Sequence, residues 1–221
     1  METRQEYSFF SPDVNPLKIK LLTEYLVPGN CVDIGCGNGA YGETIMSRCA
    51  ELLQIDLVDR RLSRAKGYPF VVMDAGRLTL PDKGYDNVVA FDIMEHLDDD
   101  GLFLRQIRRI CRGRFLFSVP NANDDQIRAL ALTHMHHLDK THRREYTREG
   151  IARLLESNGI RLIEIRPHYN RLVLNAARAF ATGSLLSKIA AKSIYLQTRF
   201  YESVGLFRNR CIPDWFGVAE M

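Results

Sequence analysis

The 221 residues, 46% of them apolar, are enough for one sizeable domain with its own buried core, and a chain of this length needs no covalent staples. Thirty basic against twenty-seven acidic residues leave a net charge of only +3, which neither demands nor excludes a nucleic-acid partner. The five cysteines (Cys31, Cys36, Cys49, Cys111 and Cys211) are odd in number and never spaced C-x-x-C, which argues against a disulfide framework or structural zinc and for a reducing, cytoplasmic setting.

In chain order, the leader carries acids early and lacks the apolar stretch of a secretory signal. Nowhere does a run approach the roughly 20 apolar residues that a spanning helix needs. Residues 17–26 have helical periodicity, with Leu21, Leu22, Tyr25 and Leu26 on one stripe, until Pro28-Gly29-Asn30 breaks it. Residues 31–35 read as a buried strand that stops at glycine, 41–49 as a helix, and 51–56 as a strand ending in an acid. A helix over 59–66, capped by Asp59, is expected next, then strands over 69–74 and 85–92. Phe103, Ile107 and Ile110 mark a further helix, with Asp98, Asp99 and Asp100 capping its start and facing water, and 114–121 is the following strand. The clearest late helix is 147–158, with Thr147 as N-cap, Ile151, Leu154 and Leu155 on one face and Gly159 as its stop. Residues 160–167 form another strand, and the closing WFGVAEM is expected as a last, edge strand.

This alternation predicts an α/β fold: a doubly wound, mostly parallel, seven-stranded sheet with helices on both faces. The chain then divides into a leader and helix (1–28), a core (29–167 plus 213–221) and a helical insertion (168–212) before the last strand. In such sheets ligands lie outside the carboxyl ends of the strands, which is where the glycines and acids just named fall.

The strongest signal is Asp33-Ile34-Gly35-Cys36-Gly37-Asn38-Gly39. Glycines at alternate positions straight after a strand let the backbone turn tightly and approach a ligand, and the helix behind offers free N–H groups. An acid two residues before the first glycine suits a ligand carrying positive charge, such as an amino group or a sulfonium. Gly37-x-Gly39-x-x-Gly42 also matches the dinucleotide fingerprint, with Asp56 near the spacing of a ribose-binding acid, so a nicotinamide-dependent oxidoreductase competes. Asp33 and the extra Gly35 shift the balance away from it.

These residues resemble the first motif of class I S-adenosylmethionine-dependent methyltransferases, and three later positions fall where that family places its other cofactor contacts. The resemblance spans residues 29–167, with WFGVAEM similar to the family's final antiparallel strand. It implies that Asp33 and the loop Gly35, Cys36, Gly37, Asn38 and Gly39 hold S-adenosylmethionine. Asp56, with Leu57 beside it, would bind the ribose, Asp74 and Ala75 would face the adenine, and Phe91 and Asp92 would flank the transferred methyl. Cys36 is a space-filling residue in this reading, because the methyl passes directly from sulfur to acceptor.

Asp92-x-x-Glu95-His96 follows the fourth strand and resembles the E-x-x-E-H cluster that binds a divalent ion in ubiquinone-biosynthesis O-methyltransferases and small-RNA 2′-O-methyltransferases. This chain has Asp92 in the first place, and metal-free relatives share D-x-x-E-H, so a metal on Asp92, Glu95 and His96 is an open alternative rather than the expectation. His134, His136, His137 and His142 crowd the segment after the fifth strand. Of these, His137 and His142, together with His96, are the candidates for a general base or an acceptor-orienting group. Residues 168–212 read as a lid, a dimer contact or an interfacial helix, the lid being favoured. The expected activity is methyl transfer to a small-molecule oxygen: a phenol, a sugar or a lipid-quinone-like hydroxyl. RNA 2′-O-methylation and a non-catalytic binding subunit are the alternatives, nucleic acid being the less favoured partner. Peripheral membrane contact and homo-oligomers stay open.

Overall fold

The computed structural model describes residues 14–122, 141–170, 185–205 and 211–221. Seven strands form one sheet: β1 (Asn30–Ile34), β2 (Glu51–Asp56), β3 (Phe70–Val72), β4 (Tyr85–Phe91), β5 (Cys111–Pro120), β6 (Arg161–Asn170) and β7 (Cys211–Glu220). Their order is β3-β2-β1-β4-β5-β7-β6, the first five parallel and β7 antiparallel to both neighbours. The order runs outward from β1 through β2 to β3, then reverses at β4. That reversal opens a crevice at the carboxyl ends of β1 and β4.

Period-two alternation sorts the strand residues onto two buried faces. Val88, Ala90, Phe115 and Phe117 pack with Phe103 and Ile107 of α3 (Asp100–Ile110) and Ile151 and Leu155 of α4 (Arg148–Ser157). Val89, Phe91, Leu116, Phe216 and Val218 pack with Leu21 and Leu22 of α1 (Pro16–Tyr25) and Ile45 of α2 (Gly42–Met46). Local chemistry fixes where the longer helices start. Asn15, Asp99 and Thr147 each accept a backbone N–H with their side chains, from Leu17 at 2.9 Å, Leu102 at 2.7 Å and Gly150 at 2.9 Å.

Several expectations need correction. WFGVAEM lies in β7, which sits between β5 and β6 instead of at the edge; β6 is the edge strand. Pairing order is set by which faces and registers match across the whole sheet, not by local pattern. The helix over 59–66 is only a 3₁₀ turn, Ser63–Ala65. There Asp59 does not cap a helix, because Arg61 turns inward instead. Its guanidinium takes the Asp59 carboxylate, donates to the carbonyls of Ala65 (3.2 Å) and Tyr68 (2.8 Å) and stacks on Phe70. The helix over 41–49 shortens to α2, and β3, β5 and β6 are shifted by a few residues from the expected strands. Asp100 does not face water: it lies 2.8 Å from Arg144 Nη1 and accepts from the Tyr146 hydroxyl at 3.0 Å.

Between β6 and β7 runs α5 (Leu185–Ser203), with Leu185, Leu186, Ile189, Leu196 and Phe200 exposed. Among the described residues no helix is long and apolar enough to cross a membrane.

Candidate active site

The β1–α2 loop is a run of left-handed backbone, with φ of +70° at Gly35, +55° at Gly37 and +70° at Gly39. Side chains are strained there. A Cβ at Gly39 would also stand 2.6 Å from the Ala65 methyl, so the loop is bare because its surroundings leave no room. Since α2 has only five residues, it is this loop that shapes the site, and its N–H groups are largely engaged within the protein: those of Gly35 and Cys36 by the Ile55 carbonyl and that of Gly39 by the Cys36 carbonyl. Asp56, at the end of β2, braces the loop: its carboxylate accepts from Gly37 N at 2.8 Å and Leu57 N at 2.7 Å. Asp74 lies one strand further out, exposed, accepting from Gly76 N at 2.8 Å, with Ala75 half-buried beside it. Leu57 is 64% exposed, a large apolar side chain left in water at the same strand ends. Asn38 closes the loop by accepting from Ala40 N at 3.0 Å. Cys36 is buried, and burial pushes its thiol up, which makes it inert as a nucleophile.

Asp33 is buried, and its Oδ2 has no hydrogen-bond partner. Burial pushes its carboxyl up to about 7. The unfolded chain would titrate near the ordinary value of about 3.9. Between those two pH values the folded state therefore holds a proton that the unfolded state has released, and stability falls as pH rises. The free protein is expected to lose thermal stability from about pH 4 to pH 7. Asp33→Asn should flatten that decline, which melting curves across the range will show; an unchanged slope would refute it.

Phe91 ends β4 with its ring buried, edge-on to Tyr41 at 5.4 Å. Asp92 follows with φ of +56°, a strained value for a non-glycine residue. Lys18 of α1 reaches across to pair with the Asp92 carboxylate, its Nζ 5.1 Å above the Phe91 ring and 5.7 Å from that of Phe216. Ser118 of β5 donates its hydroxyl to the same carboxylate. Crowding by protein atoms works to raise the Asp92 pKa, but the Lys18 ammonium and the two hydrogen bonds outweigh it and hold the carboxylate low. Lys18 and Ser118 are not among the residues that the sequence singled out. A signal for Lys18 existed: it sits three and four positions before Leu21 and Leu22, a cation on the buried stripe of α1.

One 3₁₀ turn later, Glu95 and His96 meet His142. The two imidazoles lie edge to face with centroids 4.6 Å apart, and His96 Nδ1 is 3.0 Å from the Thr141 hydroxyl. Glu95 is buried with Oε2 unpartnered, and burial, reinforced by Asp92, pushes its carboxyl far up. One ligand atom from each of Glu95, His96 and His142 lies within 4.8 Å of the others. Asp92, which the alternative metal set would have grouped with Glu95 and His96, is engaged by Lys18 and Ser118, and His142 stands in its place. His134, His136 and His137 lie outside the described residues.

Comparison with known proteins bears on this arrangement. A family model described as a methyltransferase domain matches residues 9–165. A ubiquinone biosynthesis O-methyltransferase of Nitrosomonas europaea is 29% identical over 133 residues, 52% of this chain and 56% of that protein. A Mycobacterium tuberculosis protein is 33% identical over 96 residues, 42% of this chain and 35% of that one. The chain thus spans about a third to just over half the length of these relatives. In fold it is similar to a solved S-adenosylmethionine-dependent methyltransferase of Archaeoglobus fulgidus, with a TM-score of 0.63 at 20% identity over 93% of this chain and 91% of that one.

Proposed function

Because the chain belongs to the methyltransferase-domain family, we propose that it transfers a methyl group from S-adenosylmethionine to a hydroxyl oxygen of a small molecule. The observation that carries the choice of oxygen is the gathering of Glu95, His96 and His142 beside Asp92. An amine acceptor needs only to be held neutral, whereas a hydroxyl needs its proton weakened, and imidazole and carboxyl groups suit that task. The name of the Nitrosomonas relative points the same way.

The cofactor fits what is present. The left-handed glycine loop lets it approach the backbone closely, the unpartnered Asp33 oxygen matches its ammonium, and Asp56, Leu57, Asp74 and Ala75 line one sheet edge for ribose and adenine. When bound, S-adenosylmethionine supplies a methyl on a sulfonium, a superb leaving group. The protein's task is alignment and exclusion of water, which contributes on the order of 7–11 kcal/mol. In this reading Phe91 and Tyr41 wall the reacting centre, and Lys18 balances Asp92. In the same reading α5 would close over the acceptor.

Glu95, His96 and His142 also fit a divalent cation, with mixed oxygen and nitrogen donors and the Glu95 oxygen free to coordinate. Such an ion would supply a Lewis acid that lowers the pKa of an acceptor hydroxyl. If it binds with a Kd of about 10 μM, 1 mM Mn²⁺ stabilises the fold by roughly 2.7 kcal/mol and raises Tm by about 5–10 °C. Glu95→Gln is expected to cancel most of that rise; equal Tm shifts in both proteins would exclude the site.

The function itself is tested with methyl-labelled S-adenosylmethionine and two probe sets, substituted phenols and catechols against primary amines. Label in the hydroxyl probes is the expected result. Label only in the amines would overturn the oxygen assignment, and no S-adenosylhomocysteine binding at all would overturn the cofactor.

A further inference from the structure

His168 of β6 and Asp214 of β7 are cross-strand partners, and His168 Nδ1 lies 2.8 Å from Asp214 Oδ2. The His168 ring lies nearly flat against Phe216, centroids 5.1 Å apart and planes 20° from parallel. Phe216 is the register partner of Ser118, which bonds Asp92, and its ring carries Lys18 Nζ at 5.7 Å. His168, Asp214 and Phe216 therefore continue the surface that begins at Asp92, across the carboxyl ends of β4 and β5 on the α1 side of the sheet. Asp214 is close enough to act electrostatically on both Lys18 and Glu95. The His168 and Asp214 side chains are 19% and 27% exposed, so a ligand can reach them.

A carboxylate on Nδ1 has two chemical effects. It fixes the tautomer with the proton on Nδ1 and the lone pair on Nε2, and it stabilises the imidazolium that forms when Nε2 takes a proton. A pair that only sealed the sheet edge would need neither partial exposure nor a place on the surface that runs to Asp92.

We propose that His168, oriented by Asp214, is the general base that removes the proton of an acceptor hydroxyl un-ionised at neutral pH, of the phenol or catechol class. The proposal rests on the oxygen-transfer reading above. The O–H proton passes to His168 Nε2 as the acceptor oxygen forms its bond to the methyl carbon. The carbon–sulfur bond breaks with its electron pair kept on sulfur, giving the neutral thioether, and the imidazolium later releases its proton to water. Asp214 is a positioning residue.

The test uses the full chain with His168→Ala, His168→Gln and Asp214→Asn. S-adenosylhomocysteine affinity is measured first, to show that the cofactor half is intact. Methyl transfer is then followed at neutral pH along a series from phenol through catechol to 4-nitrocatechol. The His168 variants should lose about 10²–10⁴ in rate on the weakly acidic acceptors and under about tenfold on 4-nitrocatechol, which ionises without help. Asp214→Asn should show the same trend at smaller size, and added imidazole should partly restore His168→Ala. A loss equal across the series, or no loss, would overturn the base assignment while leaving oxygen transfer standing. A wild-type protein that methylates none of these probes would overturn both.

Discussion

Asp56→Ala should weaken S-adenosylhomocysteine binding by about 100-fold or more, read by calorimetric titration. The carboxylate is assigned to the ribose hydroxyls, and a hydrogen bond to a charged group contributes about 1.5–3 kcal/mol where it is desolvated. About 2.8 kcal/mol corresponds to the hundredfold. The structure adds a second source of loss. Both oxygens already accept from the backbone, at Gly37 and Leu57, so alanine also frees the loop that has to receive the ligand. Asp56→Asn should fall between, since one acceptor oxygen survives while the amide presents donors to N–H groups. A change below threefold in the alanine variant would remove Asp56 from the site and reopen the placement of the cofactor.

The largest expected effect on stability comes from a residue with no chemistry. Gly217 of β7 faces Phe117 of β5 in register, and a Cβ there would stand 2.5 and 2.6 Å from Cε1 and Cε2 of that ring. Phe117 has nowhere to go: it is fully buried and stacked on Phe115 at 5.2 Å. Overpacking of this kind costs about 3 kcal/mol, and for a chain of this size Tm should fall by about 6–12 °C in Gly217→Ala. Combining it with Phe117→Leu should recover part of the loss, because the two positions are in contact and their effects are not additive. A single variant that melts with the wild type would mean that β7 does not lie in this register.

The parts of this molecule that the sequence discloses are those where a local pattern has one physical solution. β1, β2 and β4 are short apolar runs ending in glycine or an acid, and Thr147 with Gly159 brackets α4 as a cap and a stop must. The loop and the two strand ends proposed to hold the cofactor are legible for the same reason, since each is a local pattern. The acceptor side is not. Lys18, Ser118, His168 and Asp214 come from four elements, and only the strand order β5-β7-β6 and the packing of α1 bring them near Asp92. His142 is brought to Glu95 by a long-range backbone hydrogen bond, Arg143 N to the Glu95 carbonyl, that no spacing rule encodes, while His137 falls outside the described residues. The missed turn at 63–65 has a different cause: Arg61 satisfies more partners by folding inward than a helix there would offer it.

The place of β7 has a consequence for how the molecule is made. In chain order β6 and α5 precede β7, yet among the described residues β6 has no sheet partner except β7. Until the later strand arrives, β5 and β6 each present an unpaired edge, and β5 is largely buried and apolar once the sheet is complete. A nascent chain emerging from the ribosome would carry those two open edges through the synthesis of about forty more residues, at about 5–20 residues per second. Open edges of this kind recruit other strands. Slowing translation across residues 171–210 should therefore divert more of the newly made protein into aggregates, whereas slowing it before β5 should leave the yield unchanged.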